Sequence, residues 1–141
     1  MRCVLTTCTA AKDPSPGPVP AGQRYLGPRV DLARAWAADL GAPLLFVSGR
    51  YGLLSADDPI PWYDEALMPA GVPGLVAPVA AALRRRGLRW ARVLVAPPGT
   101  PGWGPYEELI GRAAEAAGVE LAWARMPGPD PAAPAALAPV A

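Results

Sequence analysis

The chain of 141 residues contains no histidine. This absence excludes Ser-His-Asp and Cys-His catalysis, histidine-ligated zinc or haem, and a histidine-based pH switch. Only two cysteines are present, Cys3 and Cys8, and without histidine they are too few for a structural zinc site. Any chemistry must therefore use thiol, amine, guanidinium, hydroxyl and carboxylate groups, and we predict neither a metal site nor a cofactor.

Charged residues and long apolar runs are also scarce. Charged side chains make up 18% of the chain and the net charge is +1, so the totals show no strongly basic coat for nucleic acid. No apolar run approaches the roughly 20 residues of a membrane-spanning helix, and residues 1–7 are too short and polar for a signal peptide. With so few cysteines, we predict a cytoplasmic protein in a reducing compartment, with no membrane partner.

Lysine is the rarest charged residue. Of 13 basic residues only Lys12 is a lysine, whereas proline, with 20 residues, is abundant. This composition is typical of a GC-rich genome and fits a thermophile. A single lysine among arginines suggests that a primary amine is needed at position 12. The alternative, that one lysine falls in a loop by chance, stays open at this point.

Hydrophobic residues make up 52% of the chain, which is enough for one packed core. Four short apolar runs are typical of strands: residues 3–7, 43–48, 91–96 and 119–124. Three segments between them have the apolar spacing of helices: residues 28–40, 73–86 and 105–117. The order β-α-β-α-β-α-β predicts one three-layer α/β domain over residues 1–126, with a mainly parallel four-stranded sheet. The Pro/Ala-rich residues 127–141 are predicted to form a partly disordered tail.

Polar and glycine residues concentrate in the loops that follow the first three predicted strands. In an open parallel sheet, ligands bind beyond the carboxyl ends of the strands, so we expect these loops to meet at one site. The candidate catalytic residues are Lys12, Asp64 and Cys8. The candidate ligand-binding residues are Thr7, Tyr25, Gly27, Ser48, Gly49, Arg50, Tyr51, Gly52, Tyr63 and Tyr106.

Each candidate side chain also has a plainer interpretation. Lys12 can bind an anion or act as a nucleophile or base when buried, but it can equally be a solvated loop residue. Cys8 is a candidate reactive thiol, although a small buried hydrophobic residue is the more common role of a lone cysteine. Arg50 can fork onto a phosphate or carboxylate, or lie in solvent on a tight turn. Asp64 is a general base, a partner of Arg50, or the N-cap of a helix beginning at Glu65.

One basic cluster stands out in the sequence. It comprises Arg84, Arg85, Arg86, Arg89 and Arg92 and begins at the predicted end of a helix. Cations are favourable there because the carboxyl end of a helix carries a partial negative charge. Contact with a phosphate backbone is the alternative. Because the cluster leads into the amino end of the third strand, we expect it on the edge opposite the candidate site.

Many of these residues also form a pattern that resembles a bacterial family without an assigned activity. The family's segments read Cys-x-x-x-Lys, Tyr-x-Gly, Ser-Ala-Lys-Tyr-Gly-Leu and Pro-Tyr-Asp. The matching segments here are residues 7–12, 25–28, 46–54 and 59–67, with looser matches at residues 104–106 and 126–128. Gly49-Arg50 stands where the family usually has Ala-Lys, and a long Pro/Gly loop follows Lys12. Since arginine cannot act as a nucleophile or base, Arg50 is expected to bind an anion.

The family is distantly similar to peroxide-stress YaaA-type proteins and to a domain of archaeosine synthase, a tRNA-modifying enzyme. These similarities imply a fold like that of uracil-DNA glycosylases and a pocket related to nucleobases or nucleic acid. The residues that match motif positions are Cys8, Lys12, Tyr25, Ser48, Tyr51, Gly52, Tyr63 and Asp64.

The leading hypothesis is therefore a pocket for a nucleobase, a nucleotide or single-stranded nucleic acid. Lys12 and Arg50 would hold a phosphate or carboxylate, and Tyr25, Tyr51 or Tyr63 would stack on a base. Whether the protein is an enzyme stays open; base modification or glycosidic chemistry would use Lys12 first and Asp64 second. The alternatives are a non-catalytic, stress-related nucleic-acid-binding module that uses the arginine cluster, and a small scaffold or oligomer with an exposed tryptophan contact.

Overall fold

A computed structural model describes residues 1–97 and 99–126. Along the chain the regular elements are β1 (Arg2–Thr7), β2 (Val19–Pro20), α1 (Ala21–Arg24), α2 (Pro28–Leu40), β3 (Leu44–Ser48), β4 (Gly52–Ser55), β5 (Pro59–Ile60), α3 (Val72–Arg85), β6 (Trp90–Val95), α4 (Gly104–Ala117) and β7 (Glu120–Arg125), with a 3₁₀ turn at Pro69–Gly71 before α3. The predicted tail at residues 127–141 lies outside the described residues.

The long helices and buried strands follow directly from local sequence. Every residue of β3 is buried, as expected for an apolar run between two layers of helices. Pro28 opens α2, where its missing N–H is not needed, and Gly41 ends the helix in the left-handed conformation at φ 59°. Gly118 ends α4 in the same way at φ 70°.

The main sheet has the strand order β4-β3-β1-β6-β7, and β4 alone is antiparallel to its neighbour. The prediction of an α/β domain with a mainly parallel sheet is confirmed, but the count of four strands is wrong. Gly52 adopts φ +73° and reverses the chain after β3, so Gly52–Ser55 returns along the edge and pairs with Leu45–Ser48. This four-residue strand lacks β-branched residues, so its sequence gave little sign of it.

The order of the strands creates a switch point between β1 and β6. From β1 the chain crosses to β3 on one side, whereas from β6 it crosses to β7 on the other. Right-handed crossovers then place α2 on one face and both α3 and α4 on the other. The contacts agree, because α2 packs on β1, β3 and β6 while α3 packs against α4. Ligands in open α/β sheets bind outside the carboxyl ends of the strands at such a switch point.

The segment after β1, predicted as a long loop, contains a short strand and a short helix. Its two-residue β2 pairs with β5, and the short α1 follows. Arg24 is fully buried, and its guanidinium donates to the carbonyl oxygens of Asp13, Ser15, Gly17 and Ile60. These bonds fix the loop that carries the candidate residues.

None of the helices in residues 1–97 and 99–126 has the length and apolar character needed to span a bilayer.

Candidate functional site

A cleft of about 300 Å³ opens at the switch point, beyond the carboxyl ends of β1 and β6. Its volume lies at the lower end of the range of about 300–1,000 Å³ that is typical of small-molecule pockets. Three chain segments and the first turn of α2 supply its walls. The lining residues are Cys8, Thr9, Ala10, Lys12, Arg29, Asp64, Glu65, Ala66, Thr100, Pro101, Gly102, Trp103 and Tyr106.

Lys12 is held at the cleft by both its backbone and its side chain. The backbone forms an isolated antiparallel bridge with Tyr25, and the neighbouring Asp13 N–H donates to the Arg24 carbonyl at 2.8 Å. The Lys12 ammonium lies 4.8 Å from the centre of the Tyr63 ring, within the range of a cation–π interaction. Lys12 is therefore a positioned, half-buried amine rather than a freely solvated loop residue.

Arg29 is the second cation of the cleft and comes from the first turn of α2. Its guanidinium donates to Thr6 Oγ1 at 2.6 Å and to the carbonyl oxygens of Thr7 and Cys8, and it lies 4.9 Å from the Trp103 ring. Burial lowers the pKa of Arg29 to about 10. Among the salt bridges between described residues, none involves Arg29. Its charge is thus desolvated, and neutral groups supply its polar contacts.

The thiol of Cys8 lies on the cleft wall beside an aromatic pair. Cys8 Sγ donates to the Tyr106 hydroxyl at 3.3 Å, and this oxygen also accepts the Leu67 N–H at 2.9 Å. The rings of Tyr106 and Trp103 are stacked, with centres 5.7 Å apart. Burial raises the pKa of Tyr106, so its hydroxyl stays neutral. Both cysteines are free thiols, Cys3 being completely buried and Cys8 only 8% exposed.

A chain of buried hydroxyls supports the cleft from behind. Ser48 Oγ accepts the backbone N–H groups of Arg50 and Tyr51, both at 3.1 Å, and lies 2.8 Å from the Tyr63 hydroxyl. Since both acceptor positions of Ser48 are used, its proton points to Tyr63, whose hydroxyl also bonds to that of Tyr25. Burial raises the pKa of Tyr63, and that of Tyr25 to about 12, so both remain neutral.

The wall that carries Asp64 and Glu65 is a strap fixed at two buried points, Tyr63 and Leu67. Leu67 packs tightly on Gly49, where an added Cβ would lie 2.9 Å from the Leu67 nitrogen. Residues 61–68 form no helix, so the N-cap interpretation of Asp64 is wrong. The two buried anchors keep the strap extended, and the carboxylates between them are exposed beside the cleft.

The structure brings part of the predicted site together. Four predicted residues line the cleft: Cys8, Lys12, Asp64 and Tyr106. Three lie behind it in the hydroxyl chain: Tyr25, Ser48 and Tyr63. Four shape the backbone or the wall: Thr7, Gly27, Gly49 and Gly52. The remaining two, Arg50 and Tyr51, are exposed and are not among the lining residues.

The buried tyrosines cannot present a stacking face in this arrangement. Tyr25 is completely buried against Phe46, and Tyr63 is only 4% exposed. The aromatic side chain that is half-buried at the cleft is Trp103, just before α4, and the buried Tyr106 stacks on it from behind. Sequence reasoning missed Trp103 because it stands in a Pro/Gly loop with no periodic pattern.

Arg29 is the other functional candidate that sequence reasoning missed. A signal existed, because arginine in the first turn of a helix opposes the positive end of the helix dipole. Gly27-Pro28 marks that helix start clearly, so the unfavourable position of Arg29 could have been noticed.

The arginine cluster lies on the opposite edge, as predicted. It extends from the end of α3 into the amino end of β6. Arg84 donates to the Ala116 carbonyl in the last turn of α4, and Arg92 stacks on Trp36 at 3.9 Å. The Arg84 contact matches the interpretation of the cluster as a favourable helix terminus.

Across residues 1–97 and 99–126, no group of three or more cysteine or carboxylate side chains is arranged to hold a metal ion. No family model, curated protein or solved structure matches the chain. The resemblance of the motifs, and the glycosylase-like fold it implies, therefore stay predictions.

Proposed function

We propose that the cleft at the switch point binds a nucleobase, a nucleotide or the end of a single-stranded nucleic acid. The observation that carries this proposal is the convergence of Lys12, Arg29 and the pair Trp103 and Tyr106 on one small cleft. Cations suit the phosphate of such a ligand, and the half-buried Trp103, supported by Tyr106, suits its base.

The position of the cleft supports the same function. It lies where adjacent parallel strands send their connections in opposite directions, which is the usual place for nucleotide binding in open α/β sheets. The helix α4 begins at the cleft wall, so its partial positive charge lies beside the ligand. Positive potential at the cleft thus comes from two side chains and from the amino ends of α2 and α4.

Three reactive groups line the cleft and would serve a base-modifying or glycosidic reaction. Lys12 offers a primary amine, Asp64 a carboxylate and Cys8 a thiol. We assign Lys12 the first role because its backbone and side chain are both fixed at the wall. Asp64 would act as general base from the strap, and Cys8 would chiefly shape the wall beside Tyr106.

A ligand screen by thermal unfolding tests the proposal. Nucleobases, nucleosides, nucleotides and short single-stranded oligonucleotides are added at low and moderate salt. A ligand at about 100 times its Kd adds roughly 2.7 kcal/mol of stability, which raises the Tm measurably. We expect stabilisation by members of this panel that disappears in Lys12→Ala and persists in Arg85→Ala, which removes a cation on the opposite edge.

If no compound of the panel raises the Tm, the proposal is contradicted. A different result would be that oligonucleotides raise the Tm of Lys12→Ala but not that of Arg85→Ala. That result would assign nucleic-acid binding to the arginine cluster and not to the cleft. If Lys12→Ala lowers the Tm of the free protein strongly, the charge-preserving variant Lys12→Arg separates a structural role from a binding role.

A further inference from the structure

Arg29 carries an unbalanced positive charge at the cleft. Burial removes water from its guanidinium, and its polar contacts are to a hydroxyl and two backbone carbonyls. A partly desolvated charge without a counterion is unfavourable in proteins. The position in the first turn of α2 adds to this cost, because the helix dipole is positive there.

Hydrogen-bond donors remain on both cations of the cleft. A guanidinium has five N–H groups, and Arg29 uses three of them on Thr6, Thr7 and Cys8. The Lys12 ammonium has three N–H donors, and it lies against the face of the Tyr63 ring. Both side chains line the same cleft, so their remaining donors can converge on one acceptor-rich group.

The carboxylates of the strap do not neutralise these cations. Asp64 and Glu65 line the cleft but are exposed. In the part of the chain that the structure describes, neither lies within salt-bridge distance of Lys12 or Arg29. Water screens exposed carboxylates, whereas the half-buried guanidinium is screened much less.

We infer that Lys12 and Arg29 form a phosphoryl-binding subsite, so that the ligand of the cleft is anchored by a terminal phosphate. This inference rests on the proposed function and makes it more specific. A phosphate monoester carries close to two negative charges and three acceptor oxygens, which match two cations with several donors. The same wall also holds the start of α4, a further favourable place for phosphate. Arg50, the anion binder expected from the sequence, is not needed for this role.

Calorimetric titration with three probes tests the subsite: a nucleoside, the matching nucleoside monophosphate, and inorganic phosphate. We expect the monophosphate to bind at least about tenfold more tightly than the nucleoside, as charge-assisted hydrogen bonds would give. Arg29→Gln should abolish this difference between the two probes. The matched control is Arg34→Gln, which removes a charge from the same helix outside the cleft. A terminally phosphorylated oligonucleotide, compared with its unphosphorylated form, distinguishes a nucleic-acid end from a free nucleotide.

A second measurement avoids any mutation, because Arg29→Gln also removes hydrogen bonds that hold the end of β1. Lys12 is the only lysine, so an amine-selective acetylating reagent labels it alone, apart from the α-amino group. Inorganic phosphate in the millimolar range should slow labelling of Lys12 and leave the α-amino group unaffected as an internal reference. Mass spectrometry of the labelled peptides gives both rates.

The outcomes separate the subsite from the proposed function. The subsite would be overturned if the nucleoside and the monophosphate bound with equal affinity, or if phosphate did not change the rate of Lys12 labelling. Either result would still be compatible with a cleft that binds a nucleobase. Phosphate protection of Lys12 without any affinity for nucleosides, nucleotides or oligonucleotides would support the subsite and overturn the nucleotide ligand.

Discussion

Two groups of cations lie at opposite edges of one sheet, and the fold provides for them differently. Arg84 lies at the carboxyl end of α3 and donates to the last turn of α4, where both helix dipoles favour a positive charge. Arg29 lies at the amino end of α2, where the dipole opposes it, and burial lowers its pKa to about 10. The helix dipoles favour the first cation, whereas the dipole of α2 and burial both oppose the charge of the second.

This difference shows why the number of basic residues is a poor guide to a binding site. The cluster at residues 84–92 is conspicuous in the sequence, yet four of its arginines are exposed to water, and the half-buried Arg92 is covered by the Trp36 ring. The cleft has only Lys12 and Arg29, but both are half-buried and line one cavity. A shared cavity, and for Arg29 an opposing helix dipole, therefore distinguish the cations of the cleft from those of the cluster.

Charge reversal gives the largest expected difference between the two edges. Lys12→Glu places a third carboxylate at the cleft, so we expect affinity for a nucleoside monophosphate to fall about a hundredfold, or about 2.7 kcal/mol. Arg85→Glu makes the same change of charge on the opposite edge and should alter affinity by less than about twofold, since exposed charges more than about 10 Å away are screened at ordinary ionic strength. Titration calorimetry measures both, and equal losses in the two variants would refute the distinction.

Part of this comparison was predictable from the sequence. Apolar runs and helix termini gave β1, β3, β6, β7 and the long helices, and the sheet topology then brought Cys8, Lys12 and Tyr106 to one edge. Local patterns do not encode long-range contacts, however, so the burial of Arg24 and the desolvation of Arg29 were missed. The same limit explains Arg50, whose motif position suggested anion binding but whose side chain is exposed.

A pair of glycine substitutions tests whether the strap shapes the cleft. In Gly49→Ala the new methyl group would lie 2.9 Å from the Leu67 nitrogen, so the strap must move. We expect a loss of about 2 kcal/mol of stability, as for other overpacked sites, together with weaker nucleotide binding. In Gly74→Ala the methyl group meets nothing within 4 Å, and the helix α3 should gain up to about 1 kcal/mol.

Urea unfolding of both variants gives these free energies. Unchanged stability in Gly49→Ala would mean that the strap can shift freely, and its role as a fixed wall would then be wrong.

The buried thiol of Cys3, at the amino end of β1, should make the stability of the fold depend on pH. Burial raises the pKa of Cys3 from 9.0 to about 12. Between pH 8 and pH 10 the unfolded chain loses the Cys3 proton while the folded chain keeps it, so the free energy of unfolding falls with rising pH. The expected loss is about 1 kcal/mol, following from the linkage between protonation and folding.

The variant Cys3→Ala lacks this proton and should lose about 1 kcal/mol less than the wild type over the same pH interval. Denaturant unfolding at pH 8 and pH 10 measures the difference. Parallel pH profiles for the two proteins would show that Cys3 titrates alike in both states.

The smallest expected effect concerns the residue that the sequence motif favoured. Arg50→Gln removes an exposed cation that does not line the cleft, so nucleotide affinity should change by less than about twofold. Calorimetric titration beside Arg29→Gln checks the contrast. A loss in Arg50→Gln as large as that in Arg29→Gln would restore the anion-binding role predicted from the motif.

The most direct measurement is a backbone-amide NMR titration of the wild-type protein with a nucleoside monophosphate. We expect chemical-shift changes to concentrate at residues 8–12, at Arg29 and at residues 100–106 around the cleft. Residues 84–92 on the opposite edge should stay unaffected. Changes confined to residues 84–92, or no changes at saturating nucleotide, would contradict the assignment of the switch-point cleft as the ligand site.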